Sequence, residues 1–128
     1  NELTREGQDA ERYNLLHPTA TPRVPFVTQQ LSAHAGPVVA STDYIKNYAE
    51  QIRAFIPAGR AYKVLGTDGF GRSDFRSKLR EHFEVNRHYI TVAALKALAE
   101  QGKLPLAKVA EAIAKYGIKT DKINPLHA

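Results

Sequence analysis

The loop at residues 66–74 carries residue types that can hold an anion. It reads Gly-Thr-Asp-Gly-Phe-Gly-Arg-Ser-Asp, follows the apolar run Tyr62–Leu65 and precedes a helical pattern. Glycine lets backbone amides approach an anion closely, and the first amides of a helix add partial positive charge. Gly69, Gly71, Arg72 and Ser73 are therefore candidate residues for an anion site or an interface loop.

The same loop only approximates a known phosphate-binding pattern. A Walker loop ends in lysine followed by serine or threonine, whereas Arg72 occupies the lysine position and Asp68 adds negative charge. The glycine spacing also differs from the dinucleotide fingerprint. The alternative interpretation is a tight turn in which Ser73 caps the next helix. Both interpretations, nucleotide-binding module and structural turn, stay open.

Other side chains that could do acid–base or metal chemistry do not form a predicted site. His82 and His88 are six residues apart, so a continuous helix would direct them to different faces. Asp43 follows a predicted strand and is typical of a helix start; the alternative interpretation is a contact with a partner chain. The serines lack the glycine-flanked elbow of hydrolases. We therefore predict no catalytic and no metal-binding residue.

Composition and charge exclude several classes of protein. The chain has 18 basic and 13 acidic residues and a net charge of +5, but Glu100, Glu111 and Asp121 interrupt the lysines of its last third. This pattern is typical of solvated helix faces, so we expect no nucleic-acid partner. No apolar run reaches the length of a membrane span, so we expect no membrane contact. The absence of cysteine favours a cytoplasmic location.

The elements that would position the loop follow from hydrophobic periodicity. The spacing predicts a polar helix over Leu3–Leu16, a proline-rich connector and a short helix from Pro25. A strand over Val38–Ala40, a helix over Tyr44–Ile56 and a strand over Tyr62–Leu65 predict a parallel crossover. Three further helices are predicted: one from Ser73 through Phe83, one over Tyr89–Leu98, and one from Pro105 to Gly117.

This order predicts a single domain over 1–128. Its parts are a helix and connector at 1–37, a strand-helix-strand-helix core at 38–84, and two helices with a tail at 85–128. Two strands are few for so many amphipathic helices, so we expect a sheet truncated at its N-terminal edge. The chain begins at Asn1 and has no Met, which is typical of an excised segment.

Several segments, in order, resemble the C-terminal region of the homodimeric pyruvate dehydrogenase family. The resemblance covers essentially the whole chain and is carried by Glu2–Pro18, Thr21–Pro25, Val39–Tyr44, Val64–Asp74, His82–Val85 and the end at Asn124–Pro125. It implies a transketolase C-terminal-domain-like three-layer α/β/α fold with an open, mostly parallel mixed sheet.

The resemblance also implies a function for the full enzyme. Such an enzyme decarboxylates pyruvate with thiamine diphosphate and magnesium, and acetylates the lipoyl group of its dihydrolipoyl acyltransferase partner. The family's cofactor signature, Gly-Asp-Gly followed by paired asparagines, is absent here. The resemblance therefore implies a non-catalytic structural domain that supports the homodimer, contacts the remainder of the same enzyme and holds no cofactor itself. The alternative is an anion- or nucleotide-binding regulatory module that uses the loop Gly66–Asp74.

Overall fold

The computed structural model describes residues 1–67, 83–121 and 124. Helices surround a small parallel sheet in this part of the chain. In chain order the elements are α1 (Glu2–Leu16), α2 (Phe26–Ser32), β1 (Val38–Ile45), α3 (Asn47–Glu50), a 3-10 helix (Arg53–Phe55), β2 (Tyr62–Thr67), α4 (Arg87–Glu100) and α5 (Leu106–Lys115).

The two strands of the described residues pair in parallel. Val38 lies opposite Tyr62, and the register continues to Ser41 opposite Leu65 before an irregularity that leads to Ile45 opposite Thr67. The parallel pair confirms the predicted α/β class. Paired residues share a face of the sheet, so alternate residues of each strand face opposite sides.

The predicted helix over Tyr44–Ile56 is wrong. The strand continues to Ile45, and only the short α3 and the 3-10 helix follow before β2. The backbone amide of Lys46 donates to the carbonyl of Thr67 at 3.0 Å, which extends the pairing of the strands beyond Ile45. Pairing with β2 therefore outweighs the helical spacing of Tyr48, Ile52 and Phe55.

Each face of the sheet is covered by different helices. Helix α4 contacts both strands, and the Lys63 ammonium lies 3.2 Å from the Glu100 carboxylate on that side. Tyr62 alternates with Lys63 and is buried on the other side, where its hydroxyl donates to the carbonyl of Ala49 at 2.7 Å. The segment between the strands therefore covers the face opposite α4.

Helix α1 approaches the 3-10 helix through a glycine. A Cβ atom added at Gly7 would lie 2.6 Å from two atoms of the Phe55 ring, so only glycine permits this approach without movement. The carbonyl of Phe55 also accepts a hydrogen bond from Thr28 Oγ1 of α2. Phe55 therefore joins both N-terminal helices to the sheet. The buried apolar residues of the described part are Ala10, Val27, Phe55, Tyr62, Phe83, Val85, Ala97 and Val109.

Candidate functional site

The candidate loop is described only at its start. Gly69, Gly71, Arg72 and Ser73 lie outside the described residues, as does the helix predicted to begin at Ser73. Thr67 at the end of β2 donates through Oγ1 to the carbonyl of Asp43 at 3.1 Å. The ends of the two strands are therefore tied together where the loop begins.

A cleft of about 710 Å³ opens at the same edge of the sheet. The carboxyl ends of parallel strands are where α/β proteins most often bind ligands, so this cleft is the strongest candidate site of the described residues. Three segments line it: the end of β1 at 41–43, the start of α4 at 85–90, and the chain after α5 at 116–118.

The start of α4 is capped by a side chain within this cleft. Asn86 has an extended backbone conformation, and its Oδ1 accepts hydrogen bonds from the amides of His88 and Tyr89, each at 3.1 Å. These amides are among the groups that an anion would use at a helix N-terminus. Because Asn86 occupies them, the cleft is poorly suited to a phosphate group at this position.

An aromatic stack closes the side of the cleft between α4 and α5. The rings of His88 and Tyr116 lie 4.6 Å apart between centroids, with an interplanar angle of 27°. The stack joins the first turn of α4 to the residue that follows α5. His88 and Asn86 thus serve to hold α4 and α5 in place.

Sequence reasoning missed both of these features. Asn86 directly precedes a helical pattern, which is an ordinary N-cap signal, so the cap was open to prediction. The stack of His88 on Tyr116 had no signal in the sequence, because 28 positions separate the two residues along the chain.

A second polar cluster lies under the sheet, between the 3-10 helix and β2. Arg53 donates to both carboxylate oxygens of Glu50, at 2.6 and 2.9 Å, and to the carbonyl of Tyr62 at 3.0 Å. The hydrogen bond from Arg53 lowers the pKa of Glu50 below its usual value. Burial, helped by the nearby charge of Glu50, raises the pKa of the Tyr62 hydroxyl. The cluster fastens the crossover to the sheet.

A second cleft, of about 600 Å³, carries basic side chains that include His34, Arg60 and Lys103. Arg60 uses its guanidinium on backbone carbonyls: Nε donates to Gly36 at 2.6 Å and Nη1 to Leu31 at 2.7 Å. It therefore joins the end of α2 to the turn before β2, and its charge is engaged in that structural role.

The described residues contain neither a metal-binding cluster nor a helix that could cross a membrane. In this part of the chain, no group of three or more His, Asp or Glu side chains could hold a metal ion. Among its helices, none combines the length and apolar character that crossing a membrane would require.

Comparison with known proteins places these elements in a family. The family model for the transketolase-like C-terminal domain matches residues 7–86, which is more than half of the chain. This chain belongs to the transketolase-like C-terminal domain family. The match spans both strands, the segment between them and the candidate loop, and it ends at the cap of α4.

Curated relatives extend the similarity of this transketolase-like domain over its full length. The chain is 62% identical over 128 residues to the pyruvate dehydrogenase E1 component of Haemophilus influenzae. It is 60% identical over 125 residues to that of Cupriavidus necator and 56% identical over 124 residues to that of Escherichia coli K12. These alignments cover 97–100% of the chain, which confirms the resemblance noted from its residues.

The chain spans only 14% of the length of each of these three relatives. The similarity to these relatives includes both C-terminal helices, which lie beyond the residues that the family model matches.

Proposed function

We propose that this chain is the C-terminal structural domain of a thiamine diphosphate-dependent pyruvate dehydrogenase. The observation that carries the proposal is identity of 62% over all 128 residues to a pyruvate dehydrogenase E1 component. The full enzyme would decarboxylate pyruvate and acetylate the lipoyl group of a dihydrolipoyl acyltransferase. In that assembly the domain supports the homodimer and takes no part in the chemistry.

The main cleft of the described residues does not fit a thiamine diphosphate site. A diphosphate needs free amides or cations, and in the main cleft Asn86 occupies the amides of His88 and Tyr89. Asp43 and Arg87 both line that cleft, so their opposite charges offset each other and the cleft offers no strongly cationic cradle for a diphosphate. We therefore assign the cofactor, with its magnesium ion, to the part of the enzyme outside these 128 residues.

The remaining predictions from the sequence become part of the same proposal. Residues 1–128 form one domain with parts at 1–37, 38–84 and 85–128, and the enzyme works in the cytoplasm. The loop with Gly69, Gly71, Arg72 and Ser73 contributes a turn close to an interface with the remainder of the enzyme or its homodimer mate. The loop follows β2 in the sequence, and the carboxyl ends of parallel strands are where α/β proteins most often make contacts with ligands and partners. This supports the proposed interface.

The test compares the full-length polypeptide with the isolated 128-residue chain. Both are purified, their intact masses are measured, and pyruvate decarboxylation is assayed with thiamine diphosphate and magnesium. We expect turnover from the full-length protein and none from a species of 14.2 kDa. The matched control omits thiamine diphosphate and should abolish turnover.

Two results would contradict the proposal. Turnover by the isolated chain would show that it holds catalytic residues of its own. A full-length protein without thiamine-dependent turnover would show that the relatives' activity does not extend to this protein. The alternative regulatory module predicts heat release when nucleotides or inorganic phosphate are titrated into the isolated chain.

A further inference from the structure

Helix α1 buries small residues and exposes large apolar ones, which is the reverse of the usual arrangement. Its buried positions are the small residues Gly7 and Ala10, while Leu15 and Leu16 in its last turn are 77% and 53% exposed. A helix that packs on one core normally buries its large apolar residues and exposes small or polar ones. The helix therefore presents its largest apolar side chains away from the contact it makes within the described chain.

The connector and the start of α2 add to this exposure. Val24 is 46% exposed and Phe26 is 53% exposed. We call Leu15, Leu16, Val24 and Phe26 the apolar N-terminal surface. Single exposed apolar residues are normal on proteins, but here four large ones lie between positions 15 and 26.

Specific hydrogen bonds hold these residues in place. The side chain of Asn14 donates to the carbonyl of Arg23 at 2.9 Å and accepts from its amide at 2.7 Å. Glu6 Oε2 accepts from the amide of Phe26 at 2.8 Å. The guanidinium of Arg23 also lies 3.5 Å from the centroid of the Tyr13 ring. The connector is thus fastened along α1, and the surface is a built feature of the fold.

We propose that the apolar N-terminal surface packs against the remainder of the same polypeptide, outside these 128 residues. This inference rests on the proposed function. The relatives are far longer than the chain, which covers 14% of them, so most of such a polypeptide is available as the occupant. Covalent attachment would hold that occupant at high effective concentration.

Hydroxyl-radical footprinting tests the proposal because it labels Leu and Phe side chains according to their exposure. Labelling rates are compared between the isolated chain and the full-length protein. We expect a several-fold lower rate at Leu15, Leu16 and Phe26 in the full-length protein. Leu106, which is 61% exposed on α5, is the internal reference and should label equally in both.

Three outcomes would overturn the inference. Equal labelling of Leu15, Leu16 and Phe26 in both proteins would mean that nothing covers the surface. Protection of Leu106 to the same degree would mean that the effect is not specific to it. Protection that appears in the isolated chain as its concentration rises would assign the surface to a second copy.

Pyruvate turnover is measured on the same full-length preparation, so the two proposals fail separately. Turnover without protection removes only the docking surface, whereas protection without turnover removes only the proposed activity. A full-length Leu15→Ser/Leu16→Ser variant adds a second readout: it should melt at a lower temperature than a Leu106→Ser variant. Equal melting temperatures for the two variants would contradict the proposed packing.

Discussion

The N-terminal helices α1 and α2 and the C-terminal helices α4 and α5 are held by different kinds of contact. Helix α1 approaches the sheet through Gly7 and the ring of Phe55, and leaves leucines outside. Helix α4 contacts both strands and α5 directly, and its Ala97 is completely buried. The C-terminal pair therefore packs directly on the strands, whereas the described contacts of the N-terminal pair centre on Phe55 and on side-chain hydrogen bonds such as those of Thr28 and Arg60.

The largest effect should come from removing that ring. Phe55 is buried, so we expect Phe55→Ala to lower the free energy of unfolding by about 3–5 kcal/mol. The loss reflects the removed apolar contact and the cavity left under α1. Urea unfolding followed by circular dichroism measures it, and Leu106→Ala on the exposed surface of α5 should stay within about 0.5 kcal/mol of the parent. A small loss at Phe55 would mean that the N-terminal pair does not depend on this residue.

A smaller effect is expected from Gly7→Ala, which probes the same contact from the helix side. The new Cβ atom would lie 2.6 Å from the Phe55 ring, so the ring must move. We expect overpacking to cost about 1–3 kcal/mol, offset by up to about 1 kcal/mol because alanine favours a helix. Unfolding curves give the net loss.

The control for this change is a double variant. Combining Gly7→Ala with Phe55→Leu should cost less than the sum of the two single changes, because the smaller side chain makes room for the Cβ atom. Strict additivity would argue against a direct clash between positions 7 and 55.

The N-cap of α4 tests the C-terminal side of the comparison. Replacing Asn86 with Ala removes the acceptor of two backbone amides, so we expect a loss of about 1 kcal/mol in the free energy of unfolding. Asn86→Asp keeps an acceptor oxygen and should retain most of the stability. The outcome that contradicts this expectation is an equal loss in both variants, measured by thermal or urea unfolding.

The smallest effect concerns the Glu50–Arg53 pair, through the pH dependence of stability. The folded pKa of Glu50 is lowered from 4.5 by its hydrogen bond with Arg53, so the pair stabilises the fold above that pH. This contribution disappears as the pH falls below 4.5 through the folded pKa. Both side chains are more than one-third exposed, so we expect at most about 0.5 kcal/mol.

Urea midpoints for the parent and Glu50→Gln at several pH values measure this contribution. The difference between the two proteins should be present at pH 7 and vanish in acid. Glu111→Gln, which removes a more exposed pair with Lys108, should give a smaller difference. A difference for Glu50→Gln that grows as the pH falls would contradict the expected sign.

Most helices of the described residues were predictable, and the reason is local. Pro25 and Pro105 precede α2 and α5, and apolar spacing indicates α1 and α4. The helix predicted over Tyr44–Ile56 was an error. Its apolar spacing is helical, but the first residues of this segment pair with β2 and belong to β1. The candidate loop at Gly69, Gly71, Arg72 and Ser73 stays a prediction, because it lies outside the described residues.

The cleft itself could not be predicted from the sequence. Its lining comes from three separate segments, at 41–43, 85–90 and 116–118, that only the packing of α4 and α5 beside the sheet brings together. The sequence did contain the family resemblance, because long stretches of matching residues carry it without any knowledge of contacts.

By itself, the sequence determined the family, the α/β class and the parallel pairing of the strands. These depend on residue order and on periodicity, which are local properties of the chain. Only the tertiary structure decided where β1 ends and which residue packs against Gly7. It also decided that Leu15 and Leu16 face away from the core. Such features depend on distances between residues far apart in sequence, and a pattern along one segment does not contain those distances.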